Sequence, residues 1–433
     1  MALHRVATAA EAVAFVRPTD TLAVGLGPAH PGGFLHALGE RDDWVDLQMF
    51  GALLTDLYAI FTNPAVHYRS GFFGPAERFL RDSGADIEYV PADFRRFAPI
   101  IEQLHPRIMA TAAAPPDDDG WCSLSLHAGA TVDELHRAGA DPDRLLIVEH
   151  SPHFPRTFGL MPEHPHRLHL DEIDVLVGTD SAPVDLADAA ADETDVTIAE
   201  IALRYIANGA TLQTGIGAIP SIIATKLAEG DGGDYGVHSE MFTNGLMALH
   251  RSGKVTNAHK SVFEGFSVTT FAAGTPELYS WLDGNDQVRF LPVDVVNSGD
   301  TIAANRDFVS VNGATAVDLY GQVAADTING VQYSGTGGHE DFLAGAGLQS
   351  DDRSLLCLRS SSTIDGELRS RITTSLHPMV VTTPRHQVDV IVTEYGAAEL
   401  KGRTVRERAH LLVDIAHPDL RAELRAVADA IDR

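Results

Sequence analysis

The stretch from Thr211 to Gly253 constrains the fold most, because it alternates strands and helices in a fixed order. TLQT predicts a strand, Gly215 and Gly217 form a turn, and Pro220 suits the first turn of a helix, where its missing N–H would have no partner. A second strand then follows. Two strands joined by a helix are parallel neighbours, because the crossover returns the chain to the same end of the sheet. The segment therefore predicts an α/β fold.

A carboxylate follows the second strand of this segment. Residues 235–239 predict the strand, Glu240 comes directly after it, and a helix is predicted over 243–253. Ligands of open α/β sheets bind outside the carboxyl ends of the strands. Partial desolvation would leave this carboxylate more reactive, and a surface carboxylate at a strand end is the alternative. His238, two residues earlier, either orients Glu240 or fills the core beside it.

The strand and glycine turn occur twice in the chain. TLAVGLG at residues 21–27 matches TLQTGIG at 211–217, and each is followed by a proline and an apolar helix. LQMF at 47–50 then falls in the same order as SEMF at 239–242. Two matches at similar separation favour a duplicated α/β domain, with chance similarity as the alternative. In that alignment the first copy has the neutral amide of Gln48 where the second has Glu240.

The length of 433 residues exceeds what one hydrophobic core supports, so two domains are expected. The Ala/Asp-rich stretch 184–193 lacks apolar periodicity and indicates a linker. We place an N-terminal α/β domain at 1–190 and a C-terminal α/β domain, which carries Glu240, at 191–433. Within the second, a helix is predicted over 195–208 with Asp195 as its cap, and a strand over 289–296.

Charge and composition exclude several classes of partner. The net charge of −28 argues against nucleic acid and anionic membranes, since both require clustered Lys and Arg. No run approaches the roughly 18 apolar residues of a membrane helix, and the first residues lack the apolar core of a signal peptide. Cys122 and Cys357 imply no disulfide framework, so a cytoplasmic location is expected.

Two glycine turns could expose backbone N–H donors to a ligand, at 215–219 and at 335–338. Neither matches a phosphate-binding fingerprint, so each is also compatible with a structural turn. The histidines between His150 and His169 lie in a proline-rich segment without the spacing of a helical zinc motif, and no metal is expected. No Gly-x-Ser-x-Gly elbow occurs, which leaves a serine nucleophile without support.

Motifs along nearly the whole chain resemble those of the acetyl-CoA hydrolase/transferase family, a class I CoA-transferase family that includes 4-hydroxybutyrate CoA-transferases. GVHSEMFTNGLM resembles the family's active-site stretch, and PPDDDGWCSLSL its Pro-Pro-Asp stretch. The remaining matches stand in the family's order; they are LQTGIGAIP, VDLYGQVAAD, YSGTGGHEDFLAGA, VTEYGAAELKGRTVRERAHLL and IAHPDLRAEL.

The resemblance implies a fold of two tandem, similar CoA-transferase-type α/β domains with mostly parallel sheets. It also implies that Glu240 attacks an acyl-CoA thioester and carries CoA as a glutamyl thioester before an acceptor carboxylate takes it up. CoA thioesters and small carboxylates are then the substrates, no cofactor is bound permanently, and a homodimer is expected. The CoA contacts that the resemblance implies are Gly215, Ile216, Gly217, Ala218, Ile219, Gly338 and Ser362.

Three departures from the family pattern lie near the implied site. His339 stands where the family usually has Gln, Asn244 replaces a usual Asp, and the run 360–363 lacks the usual Ala-Lys. They leave the acyl group and the contact at Ser362 open. An acyl-CoA:carboxylate CoA-transferase is the expected activity, an acyl-CoA hydrolase on the same scaffold is the alternative, and a non-catalytic acyl-CoA-binding protein is a third reading.

Overall fold

The structure is a computed structural model that describes residues 3–187, 190–347 and 349–431. Its contacts form two compact units: the first comprises Met1–Ala187 and Val268–Val296, and the second comprises Asp188–Ser267 and Asn297–Arg433. The predicted boundary between 190 and 191 assigns 268–296 to the second domain, whereas the contacts group this segment with the first unit. Residues 188 and 189 of the predicted linker lie outside the described residues.

The strands are short and occur throughout the chain. In chain order they are β1 His4–Val6, β2 Thr19–Val24, β3 Asp46–Gly51, β4 Val66–Ser70, β5 Ile87–Tyr89, β6 Ile108–Ala113, β7 Trp121–Ser123, β8 Leu145–His150, β9 Arg167–His169, β10 Val175–Gly178, β11 Thr211–Thr214, β12 Gly236–Val237, β13 Met241–Phe242, β14 Ser267–Thr269, β15 Phe271–Ala272, β16 Val288–Phe290, β17 Phe308–Gly313, β18 Ala316–Asp318, β19 Val323–Ala324, β20 Thr327–Ile328, β21 Val331–Gln332, β22 Arg353–Cys357, β23 Ser361–Ile364, β24 Glu367–Ser370, β25 Ile372–Thr373, β26 Val390–Thr393 and β27 Gly396–Glu399.

Helices alternate with the longer strands, as the sequence predicts for an α/β protein. They are α1 Ala9–Val13, α2 Gly32–Leu38, α3 Pro75–Asp82, α4 Phe97–Leu104, α5 Val132–Ala140, α6 Glu193–Ala202, α7 Ala218–Glu229, α8 Asn244–Arg251, α9 Pro276–Leu282, α10 Val293–Val296, α11 Gly299–Ala304, α12 His339–Gly345, α13 Val405–Asp414 and α14 Arg421–Ala430. No helix in the described part of the chain is both long and apolar enough to cross a bilayer.

Each unit has its own sheet. In the first unit the strand order is β1-β10-β8-β6-β2-β3-β4-β5, and every pair is parallel. In the second unit the order is β12-β11-β17-β22-β26-β27, and only the last pair is antiparallel. The predicted fold class, tandem α/β domains with mostly parallel sheets, is confirmed.

The two sheets share part of their strand order. Numbered from β11, the second sheet reads 2-1-3-4-5 over β12-β11-β17-β22-β26, and the strands β3-β2-β6-β8-β10 of the first sheet follow the same relative order once β4 and β5, which extend that sheet beyond β3, are left out. This doubly wound order has its switch point between strands 1 and 3, where ligands bind beyond the carboxyl ends. The repeated glycine turn follows strand 1 in both units, which supports the predicted duplication.

The second half of the sequence repeat has no structural counterpart. Gln48 lies within β3, opposite Thr21 of β2, and its side-chain amide hydrogen-bonds Asp46 at 2.6 Å. Glu240 instead lies three residues beyond the end of β12. The matched letters LQMF and SEMF therefore occupy different positions relative to their strands.

The cores follow the two-residue period of the strands. Leu22 and Val24 of β2 pack into one apolar cluster of the first unit, and Ala23 between them packs into another. In β22 of the second unit, Leu355 and Leu356 likewise belong to clusters on opposite faces. Both sheets are thus covered on both faces, which explains their continuous apolar strands.

Two predicted elements are wrong in detail. The helix predicted over 195–208 begins at Glu193 and ends at Ala202, followed by a 3-10 turn. Its cap is Asp192, which accepts hydrogen bonds from the amides of Thr194 and Asp195 at 2.9 and 3.2 Å. Asp195 fails as a cap because it already lies inside the helix, where its carboxylate pairs with an arginine described below.

The strand predicted over 289–296 is also wrong beyond its first residues. β16 ends at Phe290, and residues 293–296 form helix α10. The amides of Val295 and Val296 hydrogen-bond the carbonyl of Pro292 at 3.0 and 3.1 Å. Pro292 starts the helical turn because its fixed φ suits that position, and a short apolar run alone does not distinguish strand from helix.

Candidate active site

Glu240 leaves the second sheet at its carboxyl edge, as the sequence predicts. The amide of His238 hydrogen-bonds the carbonyl of Leu212 at 3.0 Å, which continues the pairing of β12 with β11. The hydroxyl of buried Ser239 then donates to the carbonyls of Thr214 and Met241 at 3.2 and 2.8 Å. These bonds fix the backbone on both sides of Glu240.

The Glu240 carboxylate accepts hydrogen bonds from two groups of the second unit. The side-chain amide of Asn297 donates to Oε2 at 2.6 Å, and the backbone N–H of Gly338 donates to the same carboxylate. Asn297 is fully buried between helices α10 and α11, and its amide also donates to Oδ2 of Asp341 at 3.0 Å. Asp341 lies in the first turn of α12, so two helices position the groups around the carboxylate.

The surroundings of Glu240 favour its protonated form more than water does. Burial raises the pKa of Glu240 to about 7, the negative charge of Asp341 adds to the rise, and the hydrogen bonds from Asn297 and Gly338 oppose it. A carboxylate with a pKa near 7 is ionised in about half of the molecules at neutral pH. The desolvation expected from the sequence is therefore present, and the group retains access to its anionic form.

Gly338 approaches the carboxylate too closely for any side chain. A Cβ on this residue would lie 1.8 Å from Oε2 of Glu240 and 2.5 Å from Nδ2 of Asn297. The preceding Gly337 has φ of +55°, a left-handed conformation that favours glycine. The predicted glycine turn at 335–338 thus brings a backbone N–H against Glu240, which is the contact that such a turn permits.

The other predicted glycine turn leads into helix α7. Gly217, with φ of +123°, precedes the helix and supplies no side-chain cap to its first amides. Ile216 is 59% exposed and Ala218 begins the helix. The amide of Gly215 hydrogen-bonds the carbonyl of Val311 at 3.3 Å, which holds the turn against β17.

Ile219 and Ser362 line one cleft of the second unit, with a volume of about 400 Å³. The two come from the first turn of α7 and from β23, which the sequence places 143 residues apart. The structure therefore brings Ile219 together with Ser362, and Gly338 together with Glu240. The other residues that line the cleft are Asp195, Ala314, Cys357, Leu358, Arg359, Ser361, Thr363 and Arg371.

The three departures from the family pattern lie in ordered positions. His339 begins α12, and its Nε2 lies 2.8 Å from the hydroxyl of Thr383. Burial lowers the pKa of His339 to about 4, so it is neutral at physiological pH. Asn244 begins helix α8, and the hydroxyl of Ser360 donates to Glu394 at 2.6 Å.

Two further histidines lie in buried positions. His238 is fully buried, and its ring centroid lies 6.0 and 6.4 Å from those of Phe308 and Phe342. This packing favours the alternative in which His238 fills the core beside Glu240. In the first unit, His166 lies 2.8 Å from the carbonyl of Ser125. Among residues 3–187, 190–347 and 349–431, no group of His, Cys, Asp and Glu is arranged to hold a metal ion.

Sequence reasoning missed Asn297 and Asp341. Asn297 stands alone in DVVNSGD, and neither its spacing nor its neighbours distinguish it from a helix-capping residue. Asp341 lies within a segment singled out for its glycines. Only the packing of α11 against α12 brings the side chains of Asn297 and Asp341 to Glu240, and that contact has no periodic signal in the sequence.

Comparisons with known proteins agree on one family. The family model for the acetyl-CoA hydrolase/transferase C-terminal domain matches residues 274–428. A succinyl-CoA:cyclohexane-1-carboxylate CoA transferase from Geobacter metallireducens is 30% identical over 99% of this chain and 96% of its own. A butyryl-CoA:acetate CoA-transferase from Anaerostipes caccae is 33% identical over 96% of this chain and 94% of its own.

A solved structure agrees over a similar length. The crystal structure of RipA from Yersinia pestis superimposes with a TM-score of 0.88 at 30% identity, over 98% of this chain and 97% of that one. Similarity of this extent covers both units and is not confined to one motif. The chain therefore belongs to the acetyl-CoA hydrolase/transferase family, and it is an enzyme that acts as a CoA-transferase.

Proposed function

We propose that this enzyme transfers CoA from an acyl-CoA to a small carboxylate, of the acetate, butyrate or 4-hydroxybutyrate type, through a glutamyl-CoA thioester on Glu240. The observation that carries the proposal is the environment of Glu240: a desolvated carboxylate with a pKa of about 7, held at 2.6 Å by Asn297 and contacted by the N–H of Gly338. The substrates of the two curated relatives, acyl-CoAs and carboxylates, support the substrate class.

The chemistry begins with the ionised form of Glu240. A carboxylate oxygen attacks the thioester carbonyl, the C–S bond breaks, and an acyl-glutamyl anhydride and CoA thiolate result. The thiolate then attacks the glutamyl carbonyl, which releases the first carboxylate and leaves CoA on Glu240. An acceptor carboxylate attacks this thioester, and the same two steps run in reverse to give the new acyl-CoA and free Glu240.

Asn297 and Gly338 suit the stabilisation of these steps. When the thiolate adds to the glutamyl carbonyl, negative charge develops on a carboxyl oxygen of Glu240 itself. The two N–H donors that contact the resting carboxylate are then in place to stabilise that oxyanion, and such a donor contributes about 3–4 kcal/mol. Because Asn297 is held by Asp341 and buried, little reorganisation is needed.

The predicted CoA contacts fit the carboxyl edge of the second sheet. Residues 215–219 follow β11, and Ile219 and Ser362 line the 400 Å³ cleft beyond β22. We propose that Gly215, Ile216, Gly217, Ala218 and Ile219 line the path of CoA toward Glu240. The proposal also includes a cytoplasmic homodimer, for which the family resemblance is the support.

An isotope-exchange assay tests the activity. Butyryl-CoA is incubated with labelled acetate, and labelled acetyl-CoA is measured together with released CoA thiol. A transferase forms labelled acetyl-CoA, and thiol accumulates slowly by comparison. Thiol release that does not depend on acetate, without labelled product, would contradict the proposal and indicate a hydrolase.

A pair of variants assigns the activity to the proposed residue. Glu240→Ala is expected to abolish the exchange, whereas Glu264→Ala, at an exposed turn of the same unit, is expected to retain it. Equal rates of exchange in the wild type and in Glu240→Ala would contradict the role of Glu240 as the CoA carrier.

A further inference from the structure

Arg371 lines the cleft of the second unit, and no side chain in the described part of that unit forms an ion pair with it. It is half-buried, its backbone N–H hydrogen-bonds the carbonyl of Ser360 at 2.9 Å, and its carbonyl accepts from Val317 at 2.9 Å. These two hydrogen bonds fix the backbone of Arg371. Within residues 190–347 and 349–431, no acceptor lies within hydrogen-bond or ion-pair distance of its guanidinium. A partly buried guanidinium in this state favours an anionic ligand, because desolvating an unpaired charge is costly.

The other charges of the cleft do not neutralise Arg371. Arg359 is bound by Asp195, with contacts of 3.1 and 2.7 Å, and by Asp192 at 2.9 Å. Burial lowers the pKa of Arg371, and the negative charge of Glu394 opposes that shift, but the oxygens of Glu394 already accept from the amide and hydroxyl of Ser360 at 2.9 and 2.6 Å. Among the charged side chains that line the cleft, the positive charge of Arg359 and the negative charge of Asp195 neutralise each other. The positive charge of Arg371 remains.

The elements around Arg371 offer further donors. β23 and β24 form a hairpin whose turn residues, Asp365 and Gly366, have φ of +52° and +81°, as a tight two-residue turn requires. Ser361, Ser362 and Thr363 on this hairpin line the same cleft, and each carries a hydroxyl that can donate a hydrogen bond. Ile219 places the first turn of α7 there as well, and the amino end of a twelve-residue helix favours an anion.

The position of the cleft suits one part of CoA. Glu240 follows β12, and Arg359 follows β22, three strands away in the sheet, which corresponds to about 14 Å at the usual strand spacing. In CoA, the thioester and the phosphates are likewise separated, by the extended pantetheine arm. A phosphomonoester carries about −1.5 to −2 charges at pH 7, so it needs a local cation in a chain whose net charge is −28.

We infer that Arg371, with the hydroxyls of the β23–β24 hairpin, binds a phosphate group of CoA. The inference rests on the proposed function and adds to it the residue that distinguishes CoA from its pantetheine portion. It assigns the cleft to the nucleotide end of CoA, and it gives a role to a segment whose sequence lacks the lysine usual in the family.

Calorimetric titration of the full chain with free CoA, dephospho-CoA and pantetheine tests the inference without turnover. Arg371→Gln is expected to weaken CoA binding about tenfold, as loss of a charge-assisted hydrogen bond to phosphate would, and to leave the Kd of pantetheine unchanged. If the effect persists with dephospho-CoA, Arg371 binds the diphosphate; if it disappears, Arg371 binds the 3′-phosphate. Either result supports the inference.

Arg369→Gln is the matched control, because Arg369 lies on the same hairpin and pairs with Glu367 at 3.4 Å on the surface. It is expected to leave the Kd of CoA unchanged, and Arg371→Lys, which keeps the charge, is expected to lose less affinity than Arg371→Gln. Unchanged CoA affinity in Arg371→Gln, or an equal loss for pantetheine, would overturn the inference. Since no covalent step is measured, failure here is distinguishable from failure of Glu240 as the CoA carrier.

Discussion

The chemistry proposed for Glu240 depends on a balance between opposing influences on one carboxylate. Burial and Asp341 raise the pKa of Glu240, whereas Asn297 and Gly338 lower it, and the result is a value of about 7. A fully hydrated carboxylate would be ionised but weakly reactive, and a buried one without donors would remain protonated. The observed combination keeps a desolvated nucleophile available near neutral pH.

We predict that kcat/KM rises with pH through about 7, since Glu240 attacks only in its ionised form. Asp341→Asn removes the neighbouring negative charge, so the pKa of Glu240 falls and the acidic limb moves to lower pH. Asn297→Ala removes a donor to the charged form, so the limb moves to higher pH, and kcat falls by about 10² to 10³. The measurement is the pH profile of kcat/KM for wild type and both variants.

The opposite signs of these two shifts make the test specific. Both side chains are buried within the same cluster, so general damage to the fold would lower activity without moving the limbs in opposite directions. If the acidic limbs of the two kcat/KM profiles moved in the same direction, or did not move, the described roles of Asp341 and Asn297 would be contradicted.

At the scale of elements, the loop before α12 determines what can approach Glu240. Gly337 turns the chain with φ of +55°, and Gly338 then lies against Oε2 with no room for a Cβ. Helices α11 and α12 are in close contact at Gly345 and Ile302. A Cβ added to Gly345 would lie 2.7 Å from the side chain of Ile302. Close packing of these two helices is what places Asn297 and Gly338 on the same carboxylate.

Gly338→Ala is expected to lower kcat/KM at least about 100-fold, because the added methyl displaces the Glu240 carboxylate, and misplacements of about 1 Å carry penalties of that size. Gly299→Ala is the control: it lies in α11, where no heavy atom of the described residues falls within 4 Å of an added Cβ. Steady-state kinetics and thermal melting of both variants provide the measurement. Near-normal activity in Gly338→Ala would contradict the described contact.

Local signals predicted the elements that carry the site better than the contacts within it. The strand at 211–214, the glycine turn after it and the end of α7 before Gly230 follow from turn and capping chemistry, and the structure has them. The predicted cap of α6 is wrong by three residues, because Asp192 and Asp195 are both acceptable caps in sequence. In the structure Asp195 lies inside the helix, where its carboxylate accepts a hydrogen bond from the amide of Asp192 at 3.2 Å. Asn297 and Arg371 escaped prediction because tertiary packing, with no local periodicity, gives them their positions.

At the scale of the whole molecule, buried ionisable groups are distributed unevenly between the two units. In the first unit, burial lowers the pKa of His30 and His127 to about 3 and that of His166 to about 4. In the second unit His339 has a pKa of about 4. Burial also raises the carboxylate pKa of Glu77 in the first unit, and of Glu240, Asp352 and Asp389 in the second.

These shifts predict that the first unit loses stability before the second on acidification. A histidine kept neutral by the fold binds its proton only after unfolding, so each lowers the free energy of unfolding by about 1.4 kcal/mol per pH unit between about pH 6.5 and its folded pKa. A carboxylate with a raised pKa has the opposite effect, since the folded state binds the proton first. Hydrogen exchange read by mass spectrometry at pH 7 and pH 5 is expected to show faster opening of peptides from the first unit.

The same experiment contains its own reference, because peptides of the second unit are measured in the same sample. Equal acceleration in both units, or earlier opening of the second, would show that these histidines do not control acid stability.

The central claim is that Glu240 carries CoA, and mass spectrometry tests it most directly. The protein is incubated with butyryl-CoA or acetyl-CoA, quenched in acid, and measured intact and after digestion. A CoA-sized adduct is expected on the peptide that contains Glu240 in the wild type and in Glu264→Ala, and it is expected to be absent in Glu240→Ala. Turnover without an adduct, or an adduct on another residue, would contradict the account.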